Sequence, residues 1–388
     1  MQIINVQIRN YRAIDKLNLS FVDDLGFPSP VTVLAGPNGC GKTTTLFAIV
    51  QALRGVMGYR SSDVPAPTRD DIRSSGSPGG RYIMETAEVA VDIDLAFDSE
   101  EQRAIPELLQ KLGKRSPLEL PDGRLQVHWR YPPGFDRDGS RRNWWNASLE
   151  PGEPGVRAWL QARKWAIKAK DSGIRSEFLS RIGGIVFFPQ DRNLADRVVS
   201  ETGALSSAAT SSSLPDDHDD DQQNERSAPR ERSIAEVLHY LSDYAKSRRP
   251  ELPDEQNWEQ RIKEIFARIC APKKYLGYAY RPDDLENGVP LLQDGADEYP
   301  LSHAASGEQI ILEYVTRLTY PSPHERSVVL IDEPEVHLHP AWVRKLYVAL
   351  PNIGAANQYI LTTHSVELRQ RAAADNALVD LGMLEDEE

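Results

Sequence analysis

The sequence predicts an α/β fold, with a mixed sheet and flanking helices, an antiparallel sheet at the N-terminus and a helical insert. Three observations carry that expectation. Short apolar runs at 31–35 (VTVLA), 185–188 (IVFF) and 328–331 (VVLI, within 327–331) read as strands, the first of the kind buried on both faces of a sheet, and 358–362 reads as a strand too. Residues 82–97 alternate apolar and polar over a long stretch, as antiparallel strands do. Amphipathic stretches at about 43–54, 100–112, 233–246, 255–270, 307–319 and 340–350 read as helices.

The remaining elements follow in order. Residues 2–8 and 17–22 read as strands around a turn at Asn10–Lys16, and 124–131 as another strand. Residues 60–80 are rich in Ser, Pro, Gly, Asp and Arg and read as a loop. Residues 156–181 read as helical and basic. Residues 200–232 hold serines and an Asp run with almost no large apolar side chain; such a segment cannot offset its ordering entropy and reads as disordered. The expected organisation is an N-terminal lobe over 1–192, an acidic linker over 200–232, a helical insert over 233–300 and a C-terminal lobe over 301–388.

Composition excludes several classes. The 388 residues allow two or three domains, or one large α/β domain with insertions. The net charge of −13 argues against coating DNA or anionic lipid by bulk charge. Two cysteines, Cys40 and Cys270, make no disulfide scaffold, so a reducing, cytoplasmic setting is expected. The N-terminus lacks a signal-peptide pattern. No apolar run reaches the roughly 18 residues of a spanning helix, so no membrane association is expected.

The strongest motif is Gly36-Pro37-Asn38-Gly39-Cys40-Gly41-Lys42-Thr43, which fits G-x-x-x-x-G-K-[ST] between a buried strand and a helix. Gly36, Gly39 and Gly41 let the backbone wrap closely, so that its N–H groups, with Asn38 and Thr44 alongside, cradle phosphate oxygens at a helix N-terminus. Lys42 reaches the outer phosphates of ATP, and Thr43 offers a hydroxyl to Mg²⁺. A second signal is Val328–Ile331 followed by Asp332 and Glu333, two acids at the C-terminal end of a buried strand, where open α/β sheets bind ligands. Asp332 would hold Mg²⁺ and Glu333 would polarise an attacking water. Three weaker signals join these. Ser306-Gly307-Glu308-Gln309 opens a helix, where Ser is also an ordinary N-cap. Gln190 follows the strand at 185–188, and His364 follows the strand at 358–362.

In that order the chain resembles the ABC-type ATPases, in the non-transporter branch that includes RecF, SMC and OLD-type ATPases. The likeness rests on Asn10-Tyr11-Arg12, on Ser306–Gln309 in place of a double-Gly signature, and on Pro334-Glu335-Val336-His337-Leu338-His339-Pro340. It covers residues 1–55, 185–192 and 290–370. The resemblance implies a head-to-tail homodimer or higher homo-oligomer with ATP at its interface. Lys42, Thr43, Gln190, Asp332, Glu333 and His364 would act on the nucleotide of their own chain, with Gln190 also at the Mg²⁺. Ser306 and Gly307 would cap the γ-phosphate of the other chain's ATP, and residues 334–340 would cross the seam.

The likeness has limits. Long coiled-coil arms are absent between Gln190 and Ser306, and 24 residues after His364 leave no room for the Toprim domain of OLD nucleases. Any nuclease or toxin is therefore expected on another chain. Of three roles, a transporter motor disagrees with the signature and with His337-Leu338-His339-Pro340, and two remain open. One is an ATPase sensor or scaffold holding a separate effector in a bacterial anti-phage system, as in Septu or PARIS-type systems. The other is a RecF-like ATPase acting on DNA in repair.

Smaller features have bland alternatives. His337 and His339 form an H-x-H pair, and Asp92 and Asp94 share a strand face; metal binding by either is less expected than loop or solvated-face roles. Cys40 stands at a variable loop position. Trp144 and Trp145, beside Arg141 and Arg142, either stack on nucleic-acid bases or pack in the fold. Arg157, Arg163, Lys164, Lys168, Lys170, Arg175 and Arg181 outnumber Asp171 and Glu177, giving a local +5 that suits nucleic acid, an acidic partner or a solvated face. The acid excess is concentrated in 200–232, at −5, and in Glu385–Glu388, at −4.

Overall fold

A computed structural model describes residues 1–57, 89–114, 120–131, 145–148, 158–190, 234–248, 257–281, 284–319, 325–354 and 356–382. The expectations for 60–80, 82–88 and 200–232, and those for Arg141, Arg142, Trp144, Arg157 and the acidic tail, fall outside these residues. In chain order the elements are β1 (Gln2–Tyr11), β2 (Ile14–Ser20), β3 (Val31–Ala35), α1 (Lys42–Met57), β4 (Val89–Ala96), α2 (Ser99–Lys111), β5 (Arg124–Tyr131), β6 (Trp145–Ser148), α3 (Ala162–Ile167), α4 (Ser172–Leu179) and β7 (Ile185–Phe188). There follow α5 (Ile234–Arg248), α6 (Trp258–Cys270), β8 (Lys274–Arg281), β9 (Asp284–Asp294), β10 (Asp297–Pro300), α7 (Ser306–Thr319), β11 (Val328–Ile331), α8 (Pro340–Ala349), β12 (Gln358–Thr363), α9 (Val366–Ala374) and β13 (Leu378–Asp380).

The chain forms two compact units, each discontinuous in sequence. The first comprises Met1–Gln190, Glu325–Pro334 and Ala356–Glu388; the second comprises Asp191–His324 and Glu335–Ala355. Helices α7 and α8 thus group apart from strands β11 and β12, although the four are neighbours in sequence.

The first unit holds two sheets of different kinds. One is antiparallel, in the order β2-β1-β4-β5-β6. Its inward side chains, Ile3, Val6 and Ile8 on β1, Val91, Ile93 and Leu95 on β4 and Val127 and Trp129 on β5, are buried, and most of the alternating positions, among them Gln7, Asp92, Asp94, Gln126 and His128, are polar. The Trp129 ring meets Tyr11 edge-on at 6.3 Å between centroids. The turn expected over Asn10–Lys16 is tighter than that, because Tyr11 already pairs with Ile14, while Asn10 and Arg12 adopt φ of 55° and 51°.

The other sheet is wholly parallel, in the order β13-β3-β12-β11-β7. Every residue of β3, β7, β11 and β12 is buried, which explains the apolar runs of β3, β7 and β11, while β12 also buries Gln358, Thr362 and Thr363. Helix α1 packs against strands of both sheets. Parallel and antiparallel strands are therefore segregated, each sheet being pure.

Glu101, buried at the start of α2, knits this unit together. It pairs with the Met1 ammonium and accepts the Gly183 N–H at 2.9 Å. It also closes a capping box with Asp98. The basic stretch 156–181 folds as two short helices, α3 and α4, and most of its charge is engaged. Arg163 is buried and donates to the carbonyls of Leu179 and Ile182. Arg181 pairs with Glu100, Glu107 and Glu177, and Arg175 donates to the Ala169 carbonyl. Lys168 and Lys170 of the same stretch are exposed.

In the second unit, α7 is buried along nearly its whole surface and packs against α5 and α6. The segment expected as a helical insert carries helices α5 and α6 but also a three-stranded antiparallel sheet, β8–β10. Short strands broken by Gly277, Gly288 and Gly295 gave weak alternation in the sequence, and pairing, not local propensity, fixes them.

Candidate active site

The register of the parallel sheet assembles the site. Ala35 pairs with Thr363, Ile331 with Leu361 and Ile331 with Phe188. The C-terminal ends of β3 and β12 therefore coincide, as do those of β11 and β7, and the first pair reaches two residues further along the same edge. Each strand then releases its functional residue at one edge: β3 the loop from Gly36, β12 His364, β11 Asp332 and Glu333, and β7 Gln190.

The loop from Gly36 has the form needed to wrap phosphate. Gly36, Gly39 and Gly41 take φ of 152°, 83° and 99°, and a Cβ on Gly41 would stand 2.9 Å from the Ile14 side chain. Asn38 is exposed at the tip, and Thr44 is half-buried in the first turn of α1. Lys42 is only 4% exposed, and its ammonium donates to the carbonyls of Gly36 at 3.0 Å and Pro37 at 2.9 Å. Cys40 Sγ lies 3.9 Å from the same ammonium.

The acids meet this loop directly. Asp332 is 1% exposed. Its Oδ1 accepts from the Thr43 hydroxyl at 3.0 Å and from the Thr362 hydroxyl at 2.5 Å. Glu333 adopts a left-handed φ of 46°, unusual for a residue with a Cβ. Its N–H donates to Thr362 Oγ1 at 3.0 Å. Its carboxylate accepts from Gln190 Nε2 at 2.7 Å and lies 3.4 Å from His364 Nε2. The expected set Lys42, Thr43, Gln190, Asp332, Glu333 and His364 thus comes together from four strand ends. Thr362 is the residue that sequence reasoning passed over; its one signal is a hydroxyl where an apolar strand would bring Val or Ile.

The donor set fits Mg²⁺. A hydroxyl, a carboxylate and an amide oxygen, from Thr43, Asp332 and Gln190, are hard oxygen ligands, and Thr43 and Asp332 already touch. Among the described residues no group of three or more His, Cys, Asp and Glu forms a metal cluster. Asp92 instead binds His128 at 2.5 Å and Arg130 at 2.6 Å. His339 caps α8 through Nδ1, which accepts the Ala341 N–H.

Ser306 and Gly307 open α7, which belongs to the second unit. A Cβ on Gly307 would stand 2.8 Å from the His337 carbonyl oxygen, so the turn at 334–340 packs directly on the Gly307 backbone. Glu308, 1% exposed, is a buried acid behind that turn. It accepts from the Ala305 N–H and the Tyr299 hydroxyl, each at 2.9 Å, and from the Lys273 ammonium. The hydrogen bond to Glu308 holds the Lys273 amine well above its usual range.

Residues 31–369 match the family described as "AAA domain, putative AbiEii toxin, Type IV TA system". The chain belongs to this family. The fold of this AAA-domain protein is similar to that of SMC heads. The crystal structure of an SMC head bound to the C-winged helix domain of ScpA is similar with a TM-score of 0.55 and 15% identity, over 98% of this chain and 94% of that one. The Pyrococcus furiosus Smc head with an extended coiled coil, bound to the C-terminal domain of ScpA, gives 0.50 and 13%, over 98% and 93%. Such identities speak for the fold alone. Septu protein PtuA of Bacillus thuringiensis is 45% identical over 60 residues, which are 16% of this AAA chain and 15% of PtuA. The match therefore spans a small part of that relative's length. No helix among the described residues is long and apolar enough to cross a membrane.

Proposed function

We propose that this protein is a Mg²⁺-dependent ATP hydrolase that dimerises around ATP and serves as sensor or scaffold for a separate effector, a nuclease or toxin, in bacterial anti-phage defence. The observation that carries the ATPase reading is the convergence of Lys42, Thr43, Asp332, Glu333, Gln190 and His364 on one edge of the parallel sheet. The family and the local likeness to a Septu protein support the defence role.

In this reading the Gly36–Thr44 loop binds the phosphates and Lys42 turns from the loop carbonyls to the outer phosphate oxygens. Mg²⁺ would supply charge neutralisation, held by Thr43, Asp332 and the Gln190 amide oxygen. Water attacks the γ-phosphorus, the bond to the bridging oxygen breaks, and ADP leaves. Glu333 accepts the water's proton while Gln190 and His364 fix its carboxylate. Ser306 and Gly307 serve the nucleotide of a second copy of the chain, so that ATP closes the dimer and hydrolysis opens it.

Glu333→Gln tests this reading. Hydrolysis is expected to fall by about 10²-fold or more while ATP stays bound and the dimer accumulates on size-exclusion chromatography. Normal turnover in that variant would refute the assignment. The RecF-like reading, ATP-driven action on DNA, leaned on the basic stretch. The burial of Arg163 and the ion pairs of Arg181 leave it less support, and salt-sensitive DNA binding that stimulates hydrolysis is the observation that would restore it.

A further inference from the structure

We propose that Thr362, which no motif of the site includes, is the residue that positions Glu333 for proton abstraction. The inference rests on the ATPase reading and deepens it. Thr362 is the penultimate residue of β12, at 0% exposure, and lies in register with Leu34 of β3. Its single hydroxyl does two things. As donor it binds Asp332 Oδ1, at 2.5 Å, and as acceptor it takes the Glu333 N–H, at 3.0 Å.

The second bond matters most because of the backbone it restrains. Glu333 sits at φ 46°, a conformation costly to a residue with a Cβ and retained only where the surroundings over-determine it. The next residue is Pro334, which has no N–H to anchor the turn. The Thr362 hydroxyl supplies an anchor on the Glu333 amide, and the left-handed turn then aims the carboxylate at Gln190 and His364. A hydroxyl is required because the same oxygen must donate to one residue and accept from the next. Valine has the same shape and can do neither. Serine can do both. Thr362 touches neither water nor phosphate in this role, so it is a positioning residue.

The test compares Thr362→Val and Thr362→Ser in the full chain, with Glu333→Gln as reference. For Thr362→Val, kcat is expected to fall about 10²-fold, the size seen when a reacting group is misplaced by about an ångström. Its affinity for Mg-ATP, read by fluorescent-nucleotide titration, should stay within about 3-fold. Thr362→Ser should recover most of kcat. Combined with Glu333→Gln, the Val change should add little, because both act on one group. If Thr362→Val does not fold, Thr362→Ala carries the same comparison. Affinity falling in proportion to kcat, unchanged kcat, absence of rescue by serine, or full additivity with Glu333→Gln would each overturn the proposal. A wild-type chain that binds ATP without hydrolysing it, with Glu333→Gln indistinguishable, would instead overturn the ATPase reading on which it stands.

Discussion

The two units hold their key residues by opposite means. In the first, the reactive groups touch one another: Thr43 bonds Asp332, Gln190 bonds Glu333, and Lys42 lies over its own loop. Their positions come from strand ends that the parallel register brings to one edge. In the second, Ser306 and Gly307 open a helix whose N-terminal turn is held from behind by the buried charge of Glu308, with Lys273 and Tyr299. Removing a group from the first should cost chemistry. Removing one from the second should cost stability as well, since a buried charge left without its partner is expensive.

The largest expected effect is on the first side. Lys42→Ala should weaken ATP binding by at least about 10²-fold, as loss of a charge aimed at phosphate does, with the melting temperature little changed. Unchanged affinity would remove Lys42 from the site, and wholesale unfolding would erase the contrast. On the second side, Glu308→Leu should destabilise by about 1 kcal/mol in denaturant titrations, the scale of lost hydrogen bonds, since Glu308 is buried but Lys273 is part-exposed and can be solvated, while leaving the first unit's nucleotide affinity nearly intact. Stability equal to wild type would show that the latch contributes nothing.

Mixing sharpens the comparison. A Lys42→Ala chain and a Ser306→Arg chain should each be inactive alone and recover part of the ATPase rate together, because one composite site would then be intact. No recovery would mean that the signature does not act on a second copy's nucleotide.

Smaller effects separate the units by pH and by thiol chemistry. Burial pushes the Asp92 carboxyl up, but the hydrogen bonds and charges of His128 and Arg130 outweigh it and hold the group below its usual range. Its contribution is therefore present above the ordinary carboxylate value and lost as pH falls through the depressed one. Lys273 is the reverse. Its raised amine contributes fully below the ordinary lysine value and loses that contribution only as pH rises through the still higher folded-state value. Denaturant midpoints of Asp92→Asn and Lys273→Met should thus converge on wild type at acid and alkaline pH respectively. Finally, burial, with Glu308 nearby, pushes the Cys270 thiol up to about 12, whereas Cys40 is half-exposed. A thiol reagent at neutral pH should label Cys40 in the native chain, more slowly with Mg-ATP present, and Cys270 only after unfolding. Equal native rates would contradict the burial of Cys270.

Much of this was legible in the sequence. The unbroken runs VTVLA, IVFF and VVLI are central strands because both of their faces are covered, and that burial writes itself into composition. Lys42, Thr43, Asp332 and Glu333 were readable because phosphate and metal chemistry require those residue types at strand ends. Other features were not readable. Arg163 looks like surface charge until its guanidinium is seen donating to two buried carbonyls. The β8–β10 sheet was hidden because pairing, not local pattern, makes its strands. Glu308 carries no sign of burial in the sequence, yet it is enclosed by Tyr299 just before the helix and by Lys273, 35 residues away.

The sequence by itself determined the fold class, the phosphate loop and the acids, since these follow from short-range spacing and apolar periodicity. Only the tertiary structure decided which strand ends share an edge, that Ser306 and Gly307 group apart from Lys42, and that the Thr362 hydroxyl joins Asp332 to the Glu333 amide. The physical reason is that register and burial are set by pairing between distant segments, and a hydroxyl's partner 30 residues away leaves no periodic trace in the chain.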